Sequence, residues 1–143
     1  MKRFFVLLLA VAMLVAGPLS AADLRGFARE MRLNDIEGFV ATVEAIRATG
    51  RLPGDRYLDK NAAERRGWRP GGDLCRVAPG KAIGGDRFSN REKRLPEAAG
   101  RRWTEADLDF TCGRRNAKRL VFSSDRLIYV TVDHYSSFRE VPK

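Results

Sequence analysis

The chain has 143 residues, with 27 Lys and Arg against 18 Asp and Glu, a formal net charge of +9. That length makes one domain with room for a real core. The charge calls for an anionic partner: a nucleic acid, an anionic surface or an acidic protein. One histidine and two cysteines lack the spacing of a ligand set, so the sequence predicts no metal and no cofactor.

Lys2 and Arg3 precede an uncharged apolar run from Phe4 to Ala16, and Gly17, Pro18 and the small residues Ser20, Ala21 and Ala22 follow. This is the layout of a secretory signal peptide, and the run is short for a membrane span. Cleavage after Ala22 fits best, with Ala21 the alternative; an uncleaved N-terminal anchor is the competing reading. Removing residues 1–22 leaves 25 basic against 18 acidic residues, a net charge of +7. The mature chain is expected outside the cell or in the periplasm, as a monomer with no membrane contact. There an even cysteine count favours one disulfide, Cys75 with Cys112.

Residues 23–33 read either as a weak helix, with Leu24, Phe27 and Met31 as its stripe, or as a flexible lead-in or pro-segment. The domain proper is expected over 34–143. A helix is predicted from Asn34, capped by Asn34 with Glu37 three residues on. Its apolar face holds Ile36, Phe39, Val40, Val43 and Ile46, and Gly50 stops it. A short helix is predicted from Lys60 to Arg66, with Asp59 as cap and Gly67 as stop, and Trp68 anchors it. Asp73 to Val77 reads as one helical turn. From Ala82 the pattern changes to short strands: around Ile83, Trp103 to Phe110, Leu120 to Phe122, Leu127 to Val132 and Phe138 to Val141. Helices first and strands later predict an α+β domain with an antiparallel sheet.

The single histidine, His134, is the only side chain that ordinarily titrates near neutrality. Glu105 and the cluster of Arg114, Arg115 and Arg119 lie upstream. An acid–base pair beside guanidinium groups suits chemistry at a phosphodiester. Taken singly, each has a plainer reading: a turn histidine, a solvated carboxylate, a basic surface.

The strings Leu52-Pro53, Gly67-Trp68, Ala78-Pro79-Gly80-Lys81-Ala82-Ile83-Gly84-Gly85-Asp86, Phe88-Ser89-Asn90-Arg91-Glu92, Trp103-Thr104-Glu105-Ala106-Asp107, Ser123-Ser124-Asp125 and Asp133-His134-Tyr135 appear in that order. With these, the chain from about Asn34 to Val141 resembles the barnase/binase family of bacterial secreted guanyl-preferring ribonucleases. The resemblance implies N-terminal helices packed on a five-stranded antiparallel sheet. It implies Glu105 as general base on the ribose 2′-OH and His134 as general acid on the leaving 5′-oxygen. A 2′,3′-cyclic phosphate would form and then be hydrolysed. Lys60, Arg115 and Arg119 match the residues that hold the phosphate. Phe88, Ser89, Asn90, Arg91 and Glu92 match a guanine-binding loop, with Glu92 accepting from guanine N1–H and N2–H₂. Tyr135 matches a residue against which a base packs.

The same resemblance implies single-stranded RNA as substrate and a small acidic barstar-like inhibitor as partner. Two alternatives remain: an inactive RNA- or polyanion-binding protein on this scaffold, and the same chemistry used as an antagonistic toxin. Arg114 stands where close relatives carry an aromatic, and Arg87 and Arg126 replace bulky apolar residues; all three are expected to raise RNA affinity. Cys75 and Cys112 are absent from the best-known members, and their aligned positions are expected to run close together. Asp86 is expected to pair with Lys60, and Asp107 with Arg115 or Arg119.

Overall fold

The computed structural model describes residues 21–143. The expected signal peptide lies, apart from Ala21 and Ala22, outside the described residues. Helix α1 (Ala21–Glu30) buries Leu24, Phe27 and Ala28. Met31 and Leu33 extend that stripe into the main core. The segment 23–33 is therefore packed, with the Phe27 ring stacked on Phe39 of the next helix at 5.9 Å.

Helix α2 (Ile36–Thr49) is capped by Asp35, whose carboxylate accepts from the Gly38 amide at 2.9 Å. The capping box expected on Asn34 does not form. The amides of Asn34 and Asp35 both donate to the Asp109 carboxylate at 2.8 Å, which moves the helix start by one residue. Glu37 turns outward to Arg25 at 2.7 Å. Gly50 closes the helix in the left-handed conformation (φ 74°). Helix α3 (Lys60–Arg65) starts on the predicted cap, Asp59, which accepts from the Ala62 amide at 2.7 Å. Ala63 of this helix packs with Trp68, Leu74 and Ile83 in a second core. A 3₁₀ turn, Leu74–Arg76, occupies the predicted helical turn.

The sheet has six strands in sequential order: β1 (Tyr57–Leu58), β2 (Ala82–Phe88), β3 (Trp103–Asp107), β4 (Arg119–Ser123), β5 (Ile128–Thr131) and β6 (Arg139–Glu140). Five of them pair antiparallel, as expected. The sixth is β1, which pairs parallel with β2. It is too short to show an alternating pattern, and backbone and side-chain bonds hold it: the Ala82 amide donates to the Arg56 carbonyl at 2.9 Å, and the Tyr57 hydroxyl donates to the Asp107 carbonyl at 2.8 Å.

Strand register sorts side chains between two faces, because directly paired residues point the same way. Ala106 pairs with Leu120, Leu120 with Val130, and Thr104 with Phe122, which faces Ile128. Leu120, Phe122, Ile128 and Val130 join the helices in the main core. Glu105 pairs with Val121, Asp107 with Arg119, and Arg119 with Thr131 on the opposite face. That opposite face carries the charged groups. In β2 a bulge falls between Gly84 and Asp86. Gly85 occupies it at φ 109°, a conformation that favours glycine. The extra residue brings Asp86 into register with Glu105.

Candidate active site

Strand β3 sets the frame. Glu105 and Asp107 are two residues apart on the charged face and are 9% and 2% exposed. Asp107 receives Arg115 through two bonds, Nε at 2.8 Å and Nη2 at 2.7 Å. It also pairs with Arg119, whose Nε lies 3.0 Å away. That last contact is an ion pair set off the hydrogen-bond axis, since the buried Arg119 Nε has no aligned acceptor. Arg119 Nη1 instead donates to the carbonyls of Asn116 and Lys118 at 2.6 and 2.8 Å. So Asp107 takes both arginines, where the sequence expected one or the other. A buried carboxylate between two guanidinium groups is tolerated because it is paired on both sides.

Arg115 reaches further, with Nη2 4.0 Å from Glu105 Oε1. Its bond to Asp107 raises its pKa, against burial, which lowers it. It therefore stays a cation beside Glu105.

Glu105 also accepts from the Tyr135 hydroxyl at 2.8 Å. Sequence reasoning placed Tyr135 only against a base and missed this bond; a tyrosine thirty residues away carries no sequence signal for it. Burial first, then the bond to Glu105, pushes the Tyr135 hydroxyl up to about 12, while Arg119 pulls it down. Tyr135 is thus a proton donor throughout the neutral range. Its ring stacks on Phe88 at 5.0 Å.

His134 sits next to this anchor, exposed, with its ring 4.8 Å from that of Tyr135. Both residues take positive φ, 51° and 70°. Non-glycine residues are held there only by surrounding bonds. The His134 amide donates to the Ala117 carbonyl at 3.0 Å, and the Tyr135 amide donates to Thr131 Oγ1 at 3.0 Å. Asp133 supplies the rest: it accepts from the Ser137 amide, the Ser137 hydroxyl and Thr131 Oγ1. The Ser137 bonds lead in holding its carboxyl down at about 2.

His134 and Tyr135 border a cavity of about 500 Å³ whose other walls include Phe88, Ser89, Asn90, Arg91, Glu92 and Arg94. All five residues of the predicted base-binding loop therefore meet at the histidine. Asn90 is 3% exposed and its amide side chain ties the loop together, donating to the Leu95 carbonyl at 2.9 Å and accepting from the Leu95 amide at 3.1 Å. Its φ of 49° makes the turn. Glu92 is ion-paired with Arg94, which also donates to the Tyr135 carbonyl at 3.2 Å. Arg94 thus links the loop to the histidine turn, a role the sequence did not signal.

Lys60 opens α3, and its amide points to Asp86 at 3.1 Å. The expected Asp86–Lys60 contact is therefore made at the backbone, not at the ammonium. Through it the helix start is fixed beside Glu105, the register partner of Asp86. Arg126 is not in the cleft: its guanidinium donates to the Arg47 carbonyl near the end of α2. Arg87 pairs in register with Thr104, on the face opposite Glu105.

Cys75 and Cys112 form a disulfide with Cα atoms 5.5 Å apart. Among the described residues, the one grouping with metal-ligand proximity is Asp73, Cys75 and Cys112. Both sulfurs are consumed by the disulfide, so no thiolate is present to bind a metal.

The ribonuclease family model matches residues 43–142. The chain is 58% identical over 92 residues, 64% of its length, to curated proteins named ribonuclease. The matched region covers 84% of the one from Heyndrickxia coagulans and 56%, about half, of those from Bacillus intermedius and Bacillus pumilus. With its helices on an antiparallel sheet and its strings in family order, the chain belongs to the barnase/binase-like ribonuclease family.

Proposed function

We propose that this protein is a secreted endoribonuclease that cuts single-stranded RNA on the 3′ side of guanosine, with no metal ion. The observation that carries the reading is the joining of Glu105 to the histidine turn: the Tyr135 hydroxyl holds the Glu105 carboxylate at 2.8 Å, and His134 is the neighbouring residue. An in-line displacement needs a base on one side of the phosphorus and an acid on the other.

In the first step Glu105 takes the proton of the ribose 2′-OH, and the 2′-oxygen attacks phosphorus. The P–O5′ bond breaks, and His134 gives its proton to the leaving 5′-oxygen. The products are a 2′,3′-cyclic phosphate and a free 5′-hydroxyl. In the second step the now neutral His134 takes a proton from water, whose oxygen opens the cycle, and Glu105 returns its proton to the 2′-oxygen. Arg115, Arg119 and Lys60 offset the charge that builds on the phosphoryl oxygens. Asp107 positions both arginines.

Guanine selection falls to the 88–92 loop. Glu92 offers a carboxylate to guanine N1–H and N2–H₂, and the backbone near Asn90 and Arg91 offers donors to O6. A base that leaves these groups unpaired is penalised. The basic cleft also suits a small acidic barstar-like inhibitor that keeps unsecreted copies silent.

The test is to digest an RNA containing all four bases and identify both new ends. The expected result is guanosine 2′,3′-cyclic phosphate at the early 3′ ends, a 5′-hydroxyl on the other fragment, and no cut at a 2′-deoxyguanosine. Equal cutting after every base removes the guanine claim. Cutting at the deoxy position removes the mechanism.

A further inference from the structure

We infer that Glu97 is a positioning residue for base recognition: its carboxylate takes the second donor of the buried Asn90 side chain and so holds the 88–92 loop in its base-receiving shape. The inference deepens the guanine reading and rests on it for the identity of the ligand.

Asn90 is the hinge of the loop. It is buried and takes φ 49°, and Lys93, three residues on, takes φ 55°. Non-glycine residues seldom adopt that conformation, so bonds have to hold the turn. The Asn90 carbonyl accepts from the Lys93 amide at 2.9 Å. Its side chain meets Leu95 twice, at the carbonyl and at the amide. A side-chain amide carries two N–H donors, and the Leu95 carbonyl uses one. The other goes to Glu97 Oε1 at 2.6 Å. Without Glu97 that donor is left buried and unpaired, which is costly. An ionised acceptor makes the bond short and strong. A flipped amide would set its oxygen against the carboxylate, so Glu97 also fixes which way Asn90 faces.

Glu97 stands on a fixed support. Arg101 donates through Nη1 to the Pro96 carbonyl at 2.8 Å and through its backbone amide to the Ala98 carbonyl at 3.0 Å. Asp125, in the turn after β4, holds the same guanidinium. The residues on both sides of Glu97 are therefore anchored outside the recognition loop, and the Glu97 carboxylate carries that anchorage to Asn90. The backbone amides of Asn90, Arg91 and Glu92 donate to no protein group among the described residues. They are left open to a base, and the turn at Asn90 sets their direction.

Electrostatics alone argues for the opposite effect. Glu97 is an exposed acid, and removing it adds positive charge to a protein that binds a polyanion, which strengthens binding. A positioning role predicts weaker binding. A loop that adopts its competent shape only part of the time lowers apparent affinity by that fraction. The sign of the change separates the two.

The test measures kcat and KM for two dinucleoside phosphates that differ only in the 5′ base, guanosine or adenosine. The proteins are the wild type, Glu97→Ala, Glu97→Gln and Glu44→Ala; the last removes an exposed acid from α2 as a charge control. We expect Glu97→Ala to raise KM for the guanosine substrate about three- to tenfold, the worth of one hydrogen bond. Its kcat and its KM for the adenosine substrate should stay near those of the wild type. Glu97→Gln keeps an acceptor oxygen at the same reach and should recover most of the loss, and Glu44→Ala should show no rise. A guanosine KM that is unchanged or lower in Glu97→Ala, an equal rise for adenosine, or no recovery in Glu97→Gln overturns the positioning role. Amide hydrogen exchange is read in parallel on the ligand-free proteins. Exchange at Lys93 and Leu95, whose amides bond to Asn90, should quicken in Glu97→Ala while β3 and β4 keep their protection. Unchanged exchange at both residues, or a loss spread over the sheet, also overturns the role. A wild type that cuts both substrates equally counts against the guanine reading, and the exchange data then decide independently whether Glu97 holds the loop.

Discussion

One face of the sheet buries hydrocarbon alone, and the other buries charge beside it. Strands β3, β4 and β5 contribute to both. On the helix side Leu120, Phe122, Ile128 and Val130 are buried and apolar, and α1 and α2 cover them. On the cleft side Glu105, Asp107 and Arg119 are buried about as deeply and are charged. The first face stabilises by removing hydrocarbon from water. The second holds its charges only because each has a partner, and removing one strands the others. Alternate residues of the same strand thus separate stability from chemistry, and substitutions on the two faces should have different signatures.

The largest effect is expected on the cleft face. Glu105→Gln should lower cleavage by about 10²–10⁴-fold, the usual worth of a positioned proton-transfer group, with little change in thermal stability. Wild-type rates in this variant would remove Glu105 from the mechanism. Asp107→Ala should fail in both assays. It leaves Arg115 and Arg119 without their shared carboxylate and should cost about 3–5 kcal/mol in denaturant unfolding, along with most of the activity. A stable Asp107→Ala protein would break the comparison, because buried charges on this face would then not depend on pairing.

On the helix face, Leu120→Ala should cost about 2–5 kcal/mol, while activity per folded molecule stays near that of the wild type. A large loss of turnover in the folded fraction would show that the faces are not separable. The smallest effect is at Asp133. Its carboxyl sits at about 2 in the folded protein against an ordinary 3.8, so its bonds stabilise the fold above that ordinary value. The contribution fades as pH falls through about 2. Asp133→Asn should therefore flatten the fall of the melting temperature between those two values. An identical acid profile in the variant would mean that the Ser137 and Thr131 bonds contribute nothing to the turn.

Much of this division can be read in the sequence, because apolar periodicity and turn chemistry are local. Phe39, Val43 and Ile46 mark the buried face of α2, and Asp59 caps α3 as its position suggests. The cap of α2 departs from the local pattern because Asp109, more than seventy residues away, claims the Asn34 amide. Strand β1 has no readable pattern; its partners on β2 and the Asp107 carbonyl fix it. At the site, family strings point to Glu105, His134 and the 88–92 loop. The Tyr135–Glu105 bond, the double use of Asp107 and the Arg94 link are visible only once the strands are in register.

The central claim is that one histidine supplies the acid for a reaction that arginine and lysine, rather than a metal, make feasible. Its most direct test is the rate of cleavage after guanosine in EDTA, for the wild type and His134→Ala. The wild-type rate should be unchanged by the chelator and the variant slower by about 10²–10⁴-fold. A variant that cuts as fast as the wild type would contradict it.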